Sequence, residues 1–219
     1  LGKPQRIRQK IYKKARNQHK KDNTFWIFGI HAVKSALSNE KRKKHELLIS
    51  KNTFKKLRET YDFSDIDYRI FDFNKSNLPI SIDSVHQGAL LKVEPLNWGS
   101  MSEVCSTSPQ ARSIVVILDR VNDPQNVGAI LRTAEVFGAK AVIVTLRNSP
   151  PESGSLAKSA SGALERQPYL RVPNLAQVIS SLKKMNYSII GLDSSAETEL
   201  KFLQPSSIEN LALVFGSEG

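Results

Sequence analysis

The second half of the chain alternates short apolar runs with helical patterns, and this alternation constrains the fold more than any other feature. Ile114–Leu118 form a continuous, mostly β-branched run, which is typical of a parallel strand covered on both faces. Four more strand-like runs follow, at residues 141–144, 169–172, 188–192 and 211–215. Repeated strand–helix units predict an α/β domain with a parallel sheet and helices on both faces.

The helices between these strands are predicted from the spacing of apolar residues. Positions 127, 130, 131, 134 and 137 follow the i, i+3, i+4, i+7 pattern. This pattern predicts a helix over 126–137, with Gly138 as the glycine that follows its last turn. Further helices are predicted over 155–164 and 175–185.

The first half alternates in the same way over shorter elements. Ordered structure is predicted to start at residues 24–29, with strands at 47–49, 66–71 and 89–93 and helices at 31–37 and 52–59. A small α/β domain is therefore expected over 24–95. Residues 96–112 are rich in Ser, Thr, Pro and Gly, which is typical of a linker, so the second domain is expected over 113–219.

The single cysteine, Cys105, lies in the predicted linker. One thiol cannot form a disulfide or a zinc cluster within one chain, so we expect Cys105 to be an incidental residue of a polar segment. No spacing of His, Cys, Asp or Glu predicts a metal site.

Positive charge is concentrated near the N-terminus. Residues 1–58 hold 18 Lys/Arg and 3 Asp/Glu, whereas residues 59–219 hold 14 Lys/Arg and 18 Asp/Glu. A basic arm over 1–23 on a near-neutral body suits a polyanion binder, because neutralising phosphates releases counterions. The tail by itself is equally compatible with a solvated segment that aids solubility or targeting.

No apolar run approaches the roughly 20 residues of a membrane span, and no apolar stretch of a signal peptide is present. We therefore expect no membrane partner and a cytoplasmic location, although the basic, acid-poor N-terminal segment also leaves an organelle transit peptide open.

Three predicted strand ends are rich in polar residues and glycine, at 119–128, 191–195 and 216–219. Ligands of open parallel sheets bind beyond the carboxyl ends of the strands, so these segments are the candidate site. None of them matches the glycine fingerprint of dinucleotide-binding proteins or the phosphate loop of nucleotide hydrolases. A generic nucleotide-binding enzyme is therefore a disfavoured alternative.

Two of these segments resemble motifs of the SpoU/TrmH family of RNA ribose 2′-O-methyltransferases. Residues 118–134, LDRVNDPQNVGAILRTA, resemble the first motif, and residues 213–219, LVFGSEG, resemble the second. Residues 28–37 and His86-Gln87-Gly88 resemble the substrate-binding domain fused to many members. The resemblance covers about 24–219 and is nearest to enzymes that methylate a guanosine ribose of 23S-type rRNA.

The resemblance implies a SPOUT-type, trefoil-knot methyltransferase domain preceded by a small α/β domain of the L30e-like ribosomal-protein type. The family's third motif, which follows the second, has no counterpart up to Gly219. We therefore expect a C-terminally truncated chain with the knot segment missing. The family forms homodimers, but loss of the third motif weakens the expectation of a dimer, of cofactor binding and of activity.

The reaction implied by the resemblance moves a methyl group from S-adenosylmethionine to a ribose 2′-OH. An alcohol must be polarised or deprotonated as it attacks. In the family the first-motif arginine, here Arg132, is proposed to assist this step. An arginine is a poor base because its pKa exceeds about 12, so we interpret Arg132 first as a phosphate anchor and transition-state cation. The alternative is a surface ion pair with Glu135 or with another acidic neighbour.

The other site residues implied by the resemblance are Asn126 and Glu218 as catalytic groups, and Gly216, Gly191 and Leu192 as contacts of the cofactor. Asn126 is also compatible with the N-cap of the predicted helix, and Gly128 with a close backbone approach. Possible secondary polar groups are Glu135 and Arg166, which are more often solvated charges, and His31 and His86, which are more often packing or RNA contacts.

The expected partner is RNA, with rRNA favoured by the fused first domain. A tRNA substrate stays an alternative. So does an RNA-binding protein without catalysis, because the basic arm and the first domain do not depend on the third motif.

Overall fold

The computed structural model describes residues 23–73, 78–81, 83–108, 111–193, 195–197, 199 and 208–216. The predicted basic arm, apart from Asn23, lies outside the described residues, and so do Ser217, Glu218 and Gly219.

The first half folds into a four-stranded mixed sheet with two helices. Its elements are β1 (Phe25–Phe28), α1 (Ile30–Ser38), β2 (Lys44–Ile49), α2 (Lys51–Leu57), β3 (Tyr68–Ile70) and β4 (Ala89–Val93). The strand order is β1-β4-β2-β3, in which only the pairing of β2 with β3 is parallel. Helix α2 begins where the Ser50 hydroxyl accepts a hydrogen bond from the Thr53 N–H.

The connecting segment packs into the core of the second half. Helix α3 (Met101–Val104) starts with a capping box, in which Ser100 Oγ accepts from the Glu103 N–H and the Glu103 carboxylate accepts from the Ser100 N–H. Cys105 follows and is fully buried, and burial raises the pKa of its thiol to about 11. The interpretation of Cys105 as an incidental residue of a polar linker is therefore wrong.

The second half folds into a five-stranded parallel sheet. Its strands are β5 (Ser113–Asp119), β6 (Ala141–Thr145), β7 (Tyr169–Val172), β8 (Ser188–Leu192) and β9 (Asn210–Gly216). The order is β7-β6-β5-β9-β8, and every pairing is parallel. The chain moves outward from β5 to β7, then crosses to the other edge at β8 and returns through β9 beside β5. The predicted α/β class with a parallel sheet is confirmed.

Helices cover both faces of this sheet. Helices α4 (Pro124–Val136) and α5 (Gly154–Ala160) share an apolar cluster with the β5 residues Val116 and Leu118. Helix α6 (Leu175–Lys184) packs on the opposite face, in the cluster that holds the alternate residues of β5. This alternation explains the continuous apolar run of β5, since neither of its faces meets solvent.

The helix predicted over 155–164 ends early, at Ala160. Ser161 and Gly162 take the left-handed conformation, with φ of 50° and 93°, before a 3₁₀ helix at Ala163–Glu165. A Cβ on Gly162 would lie 2.3 Å from Ser35 Oγ of α1. The break therefore lets the backbone pass close to the first domain, which only glycine permits here.

The two halves also meet where β1 packs against the start of α5. A Cβ on Gly154 would lie 2.4 Å from Phe28 Cε1 and 2.4 Å from the Trp26 carbonyl oxygen. One apolar cluster continues across this contact, from Ile27 of β1 to Leu156 of α5. The two sheets are therefore joined by a close-packed interface.

A buried arginine lies beside this contact. The Arg42 side chain is fully buried and donates to both carboxylate oxygens of Glu165, at 2.7 and 3.0 Å, to Glu152 at 2.7 Å and to the Glu94 carbonyl at 2.8 Å. Burial alone would lower the pKa of Arg42, but hydrogen bonds and charges from the two glutamates hold this pKa above its ordinary value. Arg42 is one of the 18 Lys/Arg of residues 1–58, and its charge is neutralised inside the protein.

Candidate active site at the strand ends

The carboxyl ends of β5, β9 and β8 lie side by side. In the register of the sheet, Asp119 pairs with Gly216, and Leu192 pairs with Phe215. Gly191 pairs one position earlier along the same two strands. The three residues predicted to contact a cofactor, Gly191, Leu192 and Gly216, are therefore brought together next to the end of β5, where the first-motif segment begins.

The backbone of these strand ends is open. A Cβ built on Gly191 or on Gly216 would meet no atom of the structure within 4 Å, and both residues are exposed. Gly128 differs, because its Cβ would lie 2.5 Å from Ser159 Cβ and 2.8 Å from the Ala160 nitrogen. The expected close backbone approach at Gly128 is thus a contact of α4 with α5, whereas the two strand-end glycines leave room for a ligand.

Helix α4 starts two residues earlier than predicted. Asp123 is its N-cap and accepts a hydrogen bond at 2.9 Å from the Gln125 N–H, and Pro124 occupies the first helical position. Asn126 lies inside the first turn with its side chain exposed. The N-cap interpretation of Asn126 is wrong, because proline at the first turn fixes the start and aspartate supplies the cap. A catalytic role for Asn126 stays a prediction.

Arg120 follows β5 directly and has a φ of 58°, in the left-handed region. This conformation costs an L residue other than Asn or Asp about 1–3 kcal/mol, and such residues cluster at functional sites. The exposed Arg120 side chain therefore emerges at the candidate site in a backbone conformation that sequence reasoning missed, since nothing in the residue type signals it.

Arg132 is exposed on α4 and shares a helix face with Gly128 and Glu135, at spacings i, i+4 and i+7. The ends of this stripe contact the α5 segment: Gly128 touches Ser159, and Glu135 accepts from Arg166, with 3.2 Å between Nη2 and Oε2. Within the described residues Arg132 forms no ion pair. The alternative in which Glu135 binds Arg132 is therefore wrong, because Arg166 occupies that carboxylate.

The predicted catalytic residue Glu218 lies outside the described residues. It follows Gly216 by two positions in the sequence, so its role stays a prediction.

The two histidines of the first domain have different environments. His86 stacks on Phe73 with 4.5 Å between ring centroids, and its Nδ1 accepts from the Gly88 N–H at 3.0 Å. Burial lowers the pKa of His86, which therefore acts as a neutral packing residue. His31 is exposed on α1. Across the part of the chain that the structure describes, no three His, Cys, Asp or Glu residues gather as metal ligands.

Among the described helices, none combines the length and apolar character that a membrane crossing requires.

Family models match both halves of the chain. Residues 113–219 match the model of the SpoU rRNA methylase family. Residues 26–99 match the model described as RNA 2′-O ribose methyltransferase substrate binding. The two models together cover both sheets.

Individual proteins match as well. A protein of Staphylococcus haemolyticus assigned to the TrmH family of tRNA/rRNA methyltransferases is 30% identical over 208 residues, which are 88% of this chain and 78% of that protein. A Staphylococcus epidermidis protein with the same assignment is 37% identical over 147 residues, 66% of this chain. That match spans 58% of the relative's length, and so do the matches to several Staphylococcus aureus proteins with the same assignment.

Solved structures share the fold. The SpoU methyltransferase AviRb of Streptomyces viridochromogenes superposes with a TM-score of 0.71 at 18% identity, covering 93% of this chain and 76% of AviRb. A second AviRb structure, in complex with the cofactor AdoMet, superposes with a TM-score of 0.68 at 17% identity, covering 93% of this chain and 77% of AviRb.

Proposed function

The chain belongs to the SpoU/TrmH family of RNA methyltransferases, and from this premise we propose that it transfers a methyl group from S-adenosylmethionine to a ribose 2′-OH of RNA. We further propose that the substrate is a guanosine of large-subunit rRNA. A tRNA substrate is the alternative, because the named relatives carry both assignments.

The observation that carries the proposal is the register of β5, β9 and β8. The pairing of Asp119 with Gly216 joins the two segments that resemble the family's first and second motifs at neighbouring strand ends. Sequence separates these segments by about a hundred residues, and the crossover through β8 brings them back together. Such a switch in strand order is where open parallel sheets bind ligands.

The residues present fit the proposed cofactor. The open main chain at Gly191 and Gly216 gives hydrogen-bonding groups that a purine edge can reach without meeting a side chain. Leu192, which is partly buried and pairs with Phe215, supplies an apolar side chain at the same strand end. When bound, S-adenosylmethionine supplies an electrophilic methyl group on a positively charged sulfur.

The proposed task of Arg132 is electrostatic. A ribose hydroxyl becomes a better nucleophile as its proton leaves, and a guanidinium nearby stabilises the negative charge that develops on the oxygen. Arg132, which is exposed and has no ion pair among the described residues, can also bind the adjoining phosphate, since arginine forms paired hydrogen bonds to phosphate oxygens. Glu135 does not compete for this side chain, because Arg166 holds it.

The first domain supports RNA as the partner, because residues 26–99 match a substrate-binding model. Membership of the second domain in the trefoil-knot class, an L30e-like first domain and a cytoplasmic location stay predictions, and so does the weakened expectation of a homodimer.

The test is methyl transfer by the full chain to an unmodified transcript of large-subunit rRNA, using methyl-labelled S-adenosylmethionine. A 2′-O-methyl group blocks alkaline cleavage of the adjoining phosphodiester, so label is expected in alkali-resistant dinucleotides. Arg132→Ala is expected to lower the transfer rate by about 10²–10³-fold, as when a charge-stabilising donor is removed. Urea unfolding of this variant is expected to match that of the wild type.

Arg132→Lys is the control that keeps the charge and loses the guanidinium plane, and it should retain part of the activity if charge is what counts. A tRNA transcript measured in parallel decides between the two substrates. Label released as a methylated base, or full activity in Arg132→Ala, would refute the proposed chemistry. Binding of RNA without any methyl transfer would instead identify an RNA-binding protein.

A further inference from the structure

A groove separates α1 of the first domain from the 3₁₀ helix of the second. It encloses about 530 Å³. Lys34, Ser38 and Lys41 line one side, and Arg166 lines the other. Ser35, at the base, faces Gly162 across the narrow contact between the two domains.

The groove carries positive charge. Lys34 and Lys41 are exposed, and neither side chain forms a salt bridge within the described residues. Of the two acidic residues that line the groove, Glu165 is buried and neutralised by Arg42. Glu40 alone is left to oppose the lysines. Surplus cations beside hydroxyl groups form a surface suited to a phosphate backbone.

The groove adjoins the face of α4 that carries Arg132. Arg132 lies on the stripe of α4 whose neighbours contact Ser159 and Arg166, one on each side of the Ser161–Gly162 turn. Arg166 belongs both to that contact and to the groove wall. The ion pair of Arg166 with Glu135 therefore joins the helix face that carries Arg132 to the groove that Lys34 lines.

We propose that this groove, called here the α1 groove and formed by Lys34, Ser35, Ser38, Lys41 and Arg166, holds the RNA backbone next to the nucleotide being methylated. The inference rests on the proposed function and adds a binding path to it. Arg132 engages the target nucleotide, and Lys34 of α1 and Lys41 of the turn after α1 bind phosphates of the same strand further along. The close contact of Gly162 with Ser35 fixes the spacing between these two parts of the path.

The experiment compares two double variants that each remove two positive charges. Lys34→Ala/Lys41→Ala alters the α1 groove. Lys183→Ala/Lys184→Ala removes two exposed lysines of α6, on the opposite face of the second sheet, and serves as the matched control. Binding of a labelled large-subunit rRNA transcript to the full chain is measured at several salt concentrations, and urea unfolding shows that both variants are folded.

The groove variant is expected to bind about tenfold more weakly at 0.1 M salt, and the slope of log K against log salt to fall by about one per lysine. The control is expected to keep the wild-type slope. Equal affinities and equal salt slopes in the two variants would overturn the proposal that the α1 groove binds RNA, and would leave the methyltransferase proposal intact. Failure of the wild-type chain to bind any RNA would overturn both proposals.

Discussion

The interface between the two halves and the strand ends of the second sheet use the same residue types in opposite ways. At the interface, Arg42 is buried and makes four hydrogen bonds, and a Cβ on Gly154 would collide with the first domain. In the candidate site, Arg132 on α4 is exposed without an ion pair among the described residues, and a Cβ on Gly216 at the end of β9 would meet nothing.

This difference in burial and pairing distinguishes residues that stabilise the fold from residues that are accessible to a ligand. A buried arginine is stable only when its partners compensate for the loss of its hydration, so Arg42 is fully paired with carboxylates and a carbonyl inside the protein. An arginine with no protein partner keeps its hydrogen-bonding capacity for a substrate. Substitutions of the same kind in the two regions should therefore affect stability in one and activity in the other.

The largest difference is expected between the two arginines. Arg42→Met leaves the buried Glu152 and Glu165 without their counter-charge and should lower the free energy of unfolding by about 3–5 kcal/mol. Arg132→Met, at an exposed position, should change it by less than about 0.5 kcal/mol. Urea unfolding at pH 7 measures both, and equal losses at the two positions would contradict the comparison.

The loss in Arg42→Met should depend on pH. Burial already raises the pKa of Glu152, and Arg42 opposes that shift. Without Arg42 the folded-state pKa of Glu152 rises further above its unfolded value. A group of this kind contributes stability below its unfolded pKa and loses it as pH rises. The deficit relative to wild type should therefore be smaller at pH 4.5 than at pH 8.

A smaller difference is expected between glycines. Gly154→Ala places a methyl group 2.4 Å from Phe28 and from a backbone oxygen, so the interface must open, at a cost of about 1–3 kcal/mol. Gly191→Ala meets open space and removes backbone freedom from the unfolded chain, so stability should stay the same or rise by about 0.5 kcal/mol. Thermal and urea unfolding compare the pair, and a destabilised Gly191→Ala would show that this strand end is packed.

The smallest expected change in stability concerns the start of α4. Asp123→Ala removes the cap and should cost about 1 kcal/mol. Asn126→Ala, inside the first turn and exposed, should cost less than about 0.5 kcal/mol. If Asn126 belongs to the site, its variant lowers methyl transfer without lowering stability. A larger loss of stability in Asn126→Ala than in Asp123→Ala would indicate that Asn126, and not Asp123, caps the helix.

Periodicity and residue chemistry predicted most elements because each depends on its own sequence. The strands at β4, β7 and β8 have the predicted bounds, and Gly138, with a φ of 67°, follows α4 as expected. The errors arose where a residue's surroundings come from distant segments. Cys105 looked like a linker residue because its apolar neighbours belong to another part of the chain, and the helix of 155–164 broke at Gly162 because α1 passes close by.

The candidate site divides in the same way. The motif residues Asn126, Arg132 and Gly216 were found from the sequence, because short motifs keep their residue order whatever the fold. The sequence could not show which charged side chains form ion pairs with one another. Arg42 stands in a run of lysines that is typical of a basic surface. Glu135 has Arg132 three residues before it in the sequence, but its partner in the structure is Arg166.

The amino-acid sequence by itself determined the class of fold and the order of the strands and helices along the chain, and it predicted the residues of the family motifs, since all of these depend on local sequence pattern. The tertiary structure decided which strands are neighbours, which arginine is buried and which is open, and where the two domains touch. Those outcomes depend on burial and charge pairing between segments that are far apart in the chain, and no local pattern records them.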